Sequence, residues 1–99
     1  MNDKAARRAD QALLAAYHEA RLADLIEHVR TGFEQYAAGE IDAFGLDDLI
    51  DRYTLAAKAL WSFCAVSGAR VGIAVRTLEL WREQGDSPDW WSAVDRPRR

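Results

Sequence analysis

The sequence predicts an all-α fold: a three-helix bundle-like domain with a long first helix and a short C-terminal fourth helix. Three observations predict it. Both prolines, Pro88 and Pro97, fall in the last dozen residues, so nothing earlier forbids helix. Apolar side chains recur three and four residues apart through most of the chain. No stretch pairs strand-like alternation with turn residues, and no internal repeat or low-complexity tract interrupts the pattern.

The first helix is expected from about Asp3 to Ala38, some 30 to 35 residues or roughly 50 Å at 1.5 Å per residue. Leu22, Ile26, Val29, Phe33 and Tyr36 alternate four and three apart and read as its buried stripe. Its first half is alanine-rich, with Leu13, Leu14 and Tyr17 as the larger side chains. Gly32 is tolerated at a cost of about 1 kcal/mol, and Gly39 is placed to end the helix in a left-handed conformation. The second helix is expected from Leu46 to about Val66. Leu46, Leu49, Ile50, Tyr53, Ala57, Leu60 and Cys64 form its inner stripe, broadened by Ala56, Trp61 and Phe63. Ser67-Gly68 breaks it. A third helix, about Ala69 to Glu83, buries Val71, Ala74, Val75, Leu78 and Trp81, and Gly85 ends it. In "DSPDWW", Ser87 reads as an N-cap and Pro88 as the first residue of a helix reaching Val94.

Residues 1–99 are thus expected to form a single helical domain, with 1–10 frayed and 95–99 a basic tail. The composition excludes several classes. With a net charge of −3 and a pI near 5.3, nothing global draws the chain to nucleic acid or an anionic membrane. One cysteine, Cys64, excludes an internal disulfide and a thiolate zinc site. No apolar run approaches the roughly 18 residues of a membrane span, and "MNDKAARRAD" is too polar for a secretory signal. The chain is therefore expected to be cytoplasmic. Its abundant alanine, with only Lys4 and Lys58 among 13 basic residues, points to a GC-rich bacterial source.

The acids invite a metal. Asp47, Asp48 and Asp51 stand in the order D-D-x-x-D, and "DDLID" resembles the magnesium-binding motif of all-helical isoprenoid synthases. That resemblance covers five residues and implies diphosphate chemistry, but the chain is too short for the synthase barrel and has no second acidic motif. The preferred expectation is structural: carboxylates at a helix start are stabilised by the helix dipole by about 0.3–1 kcal/mol each. Gly45 or Asp47 is the expected cap, with Asp42 capping the preceding turn. Glu19, Asp24 and Glu27 on the first helix, with those three acids on the second, loosely resemble the paired acidic clusters of small all-α nucleotide pyrophosphatases. A magnesium-dependent phosphohydrolase is the least favoured reading, since such chemistry needs several carboxylates converging from two helices.

Single residues add little chemistry. His18 reads as a core or boundary imidazole, and His28 as a surface partner of Asp24. Cys64 reads as a small buried hydrophobe, a nucleophile only if folding brings a histidine across to it. No catalytic residue, metal or cofactor is expected. "VRTLELWREQG", Val75 to Gly85, resembles the end of the recognition helix and the next turn in MerR-type regulators, implying a DNA-associated regulator as the alternative function. The match stops upstream, where Gly68 and Gly72 interrupt the pattern, and Arg70, Arg76 and Arg82 are spread around the helix. Arg96, Arg98 and Arg99 would supply a phosphate-binding tail.

The preferred expectation is a non-enzymatic protein–protein interaction module that forms a homodimer around helix one. Its interface is expected at Leu13, Leu14 and Tyr17 on that helix, and at Ile73 and Leu80 on the outer strip of helix three. Trp90 and Trp91 complete it. These two point about 100° apart, so both are buried only if their helix is clasped between two surfaces.

Overall fold

The computed structural model describes residues 3–94, and the basic tail expected at 95–99 lies outside them. Four helices follow in order: α1 Asp3–Ala37, α2 Ala43–Cys64, α3 Ala69–Gln84 and α4 Trp90–Ala93. The all-α fold with a long first helix and a short fourth one stands, and α1 is continuous from Asp3.

α1 ends as expected: Gly39 adopts φ 78, where a β-carbon is disfavoured, and the Glu40 N–H bonds the Gln35 carbonyl at 2.9 Å. The chain turns and α2 runs back antiparallel along α1, Leu49 lying beside Gly32 and Cys64 beside Leu14 and His18. Gly32 is buried against Leu49. A β-carbon there would lie 2.7 Å from Leu49 Cδ1, so the leucine side chain would have to shift to admit it.

That approach corrects the expected stripe of α1. Leu14, Leu25 and Gly32 face inward, whereas Ile26, Phe33 and Tyr36 are exposed. Ile26 and Phe33 each follow an inward residue by one position, hence by about 100° around the helix. α2 is corrected in the same sense. Leu46, Ala56, Leu60 and Cys64 are buried, but Ile50 and Trp61 lie outside. Its start also moves: Asp42 is the N-cap, accepting the Gly45 N–H at 2.8 Å. Asp47 and Asp48 therefore sit in the second turn and Asp51 beyond it, past the reach of the terminal dipole.

Gly68, at φ 61, lets the chain leave α2 through a bend of 114° into α3. α3 folds back on the first half of α1, where Val71 and Leu14 line one small cavity, and Gly85 caps it at φ 65. The fourth helix starts later than expected. Asp89, not Ser87, is its N-cap, and Pro88 lies outside it. The Asp89 carboxylate accepts N–H groups from Trp91 and Ser92, which Ser87 stands too far back to do.

Candidate functional site

α4 is held by its two tryptophans, one to each side. The Trp90 indole N–H donates to Tyr17 Oη at 2.8 Å, and its ring lies 5.8 Å from Phe63. Phe63 and Tyr17 both also meet Trp81 of α3, at 5.2 and 6.4 Å. Trp91 packs between α1 and α2. Its ring stacks on His28 at 4.3 Å and an interplanar angle of 2°, and the Arg52 guanidinium stands 4.4 Å from the ring centre. Arg52 Nε and Nη2 also donate to the Trp91 carbonyl at 3.1 and 2.9 Å. Thus His28 does not act as the expected partner of Asp24, which pairs instead with Arg21 at 3.0 Å.

The cap of this short helix titrates. Ser92 donates its hydroxyl to Asp89 at 2.9 Å, and with the two backbone N–H groups it holds the carboxyl below its ordinary range. A depressed folded pKa gives stability that is present above the unfolded value, near 4, and lost as pH falls through the folded one. The stability gap between wild type and Asp89→Asn in urea melts should therefore be wider at pH 7 than near pH 2. An unchanged gap at both pH values would show that the carboxylate charge is irrelevant to docking.

The expected interface residues divide sharply. Leu14 and Trp91 are buried in the chain's own core, and Tyr17 and Trp90 are half-buried and bonded to each other. Leu13, Ile73 and Leu80 are exposed. The two tryptophans are clasped between two surfaces, but both surfaces belong to this chain.

Two open clefts of about 460 and 510 Å³ flank the His28–Trp91 stack, one lined by Asp24, Glu27 and Asp89, the other by Gln35, Leu49 and Arg52. Among the described residues, no three His, Cys, Asp or Glu side chains converge as metal ligands. Folding does bring His18 and Cys64 to one cavity of about 210 Å³. Burial pushes the Cys64 thiol up to about 11, which leaves it protonated at neutral pH and a poor nucleophile.

The cations of α3 do not form a stripe either. Arg76 pairs with Glu79 at 3.5 Å, and the apolar Ile73 and Leu80 share the outer surface with them. Arg96, Arg98 and Arg99 lie outside the described residues. Among the described residues, no single helix is long and apolar enough to cross a membrane.

What sequence reasoning missed is the large apolar group left outside: Ile26, Phe33 and Tyr36 on α1, Phe44, Ile50 and Trp61 on α2. The available signal was the interleaved row Leu14, Arg21, Leu25, Gly32, also spaced by sevens and fours. A glycine in such a row marks a close helix contact better than a large side chain does. No protein-family model matches the chain, and neither a curated protein nor a solved structure is significantly similar to it.

Proposed function

We propose that this chain is a non-enzymatic helical interaction module that self-associates, working in the cytoplasm. The observation that carries the reading is surplus apolar surface. The chain exposes 7105 Å², roughly a quarter more than the ~5,700 Å² of a compact monomer of its mass. Its radius of gyration of 16.6 Å likewise exceeds the ~13 Å of a compact chain of about 100 residues. The surplus is not merely polar: Phe33, Phe44, Trp61 and Ile73 are all more than half exposed. Large apolar side chains in that state are what an association surface offers. Sedimentation equilibrium of the full chain tests this: a mass of two chains in the micromolar range is expected. A monomer throughout that range would remove self-association from the reading.

A DNA-associated regulator is the second reading, and one observation favours it. The 114° bend between α2 and α3, across a four-residue connection holding Gly68, falls in the range of helix-turn-helix pairs. Against it stand the acids and aliphatic side chains on the outside of α3. A DNA mobility shift that weakens steeply with salt would restore this reading.

A further inference from the structure

The α1–α2 pair has two faces, and among the described residues only one is covered. Each residue turns a helix by about 100°. Counted so from the buried Leu25, His28 lies about 60° to one side, and Ile26 and Phe33 lie about 80–100° to the other. Counted from the buried Leu60 on α2, Arg52 and Phe63 lie about 60–80° to one side, and Ile50 and Trp61 about 80–100° to the other. α4 touches His28 and Arg52, and α3 reaches Phe63 through Trp81. α3 and α4 therefore share one side of the α1–α2 layer. The opposite side carries Ile26, Phe33, Ile50 and Trp61, which are 49%, 51%, 38% and 59% exposed.

We infer that this bare α1–α2 face is where a second copy of the chain docks, the two helix pairs stacking about a two-fold axis into a four-helix core. This rests on the self-association proposed above and names its surface. Area supports it. Four large side chains, each about half exposed, offer on the order of 400 Å² of apolar surface, since an aromatic side chain alone holds about 150–250 Å². A standard interface takes about 800 Å² from each partner, of which roughly 60% is apolar. The face supplies most of that share.

The charges at its edge select the occupant. Glu19 and Arg30 border it on α1, Asp47 and Lys58 on α2, two of each sign. A basic or acidic partner, or an anionic lipid surface, would leave half of this rim opposed by like charge. A second copy presents the same balanced rim, and closed two-fold pairing is the commonest form of homo-oligomer.

The experiment uses two double variants of the full chain, Ile26→Glu with Phe33→Glu and Ile26→Lys with Phe33→Lys, each checked for helix by circular dichroism. Each alone should weaken dimerisation more than about tenfold, as loss of central apolar anchors does. Mixed together they should associate again. Ile73→Glu, on the outside of α3, should leave the dimer intact.

Double variants that stay dimeric, a mixture that stays monomeric, or dissociation by Ile73→Glu alone would overturn the assignment while leaving self-association in place. A monomeric wild type removes both. Should the charged pairs lose helix, Ile26→Ser with Phe33→Ser asks the same question, and dimers that survive it overturn the proposal.

Discussion

Replacing Trp91 by alanine should lower the unfolding free energy by about 3–5 kcal/mol, the scale for deleting a buried tryptophan. The indole is 9% exposed although it belongs to a helix of four residues. Such a helix cannot hold itself, because nucleating the first turn costs more than its few hydrogen bonds return. It persists through the Asp89 cap and its contacts with α1 and α2. Removing the ring takes away the His28 stack and the Arg52 cation–π contact together, and merges the clefts on either side. Arg52 can still bond the carbonyl of residue 91, but the segment carrying that carbonyl has lost its anchor. Urea melts followed by circular dichroism read the loss. A change below about 1 kcal/mol would mean that α4 contributes little to the folded chain and that α1, α2 and α3 stand without it.

The helices were legible because their signals are local. Gly39, Gly68 and Gly85 stand at three of the breaks, and each takes a positive φ. The inner residues Val71, Ala74 and Val75 of α3 follow from spacing alone. The facing of α1 was not legible, for a physical reason. Two rows, both at helical spacing, lie side by side on that helix, and periodicity cannot rank them. Size favoured the row of Ile26 and Phe33, whereas packing turned the row with Leu25 and Gly32 inward against α2.

The candidate site was legible in kind but not in place. The abundance of tryptophan pointed to clasped aromatic surfaces, and Trp90 and Trp91 are clasped. Which residues clasp them depends on contacts 63 and 39 positions apart, His28 and Arg52 against Trp91. No spacing rule reaches that far. The acids of α2 failed for a smaller reason: the cap fell at Asp42, and a shift of a few residues carried Asp47 and Asp48 out of the first turn.

Leu60→Ala should cost about 2–5 kcal/mol, the range for deleting a fully buried leucine with incomplete collapse of the cavity. Leu60 is 0% exposed and stands between Ala56 and Cys64 on the inner face of α2. The core has little to fill the gap: Ala56 and Ala74 are already small, and a cavity of about 210 Å³ lies beside Cys64. The neighbouring residue makes the contrast. Trp61 is larger yet more than half outside, so in a single chain Trp61→Ala forfeits far less. The two substitutions should therefore separate on dilution. Leu60→Ala lowers Tm at every protein concentration, because its loss lies within one chain. Trp61→Ala lowers Tm chiefly where wild type is dimeric, since association adds stability by mass action only to the folded, paired form. Thermal melts of wild type and both variants over a hundredfold range of dilution check this. Equal losses for the two at all concentrations would mean that Trp61 is structural in the monomer.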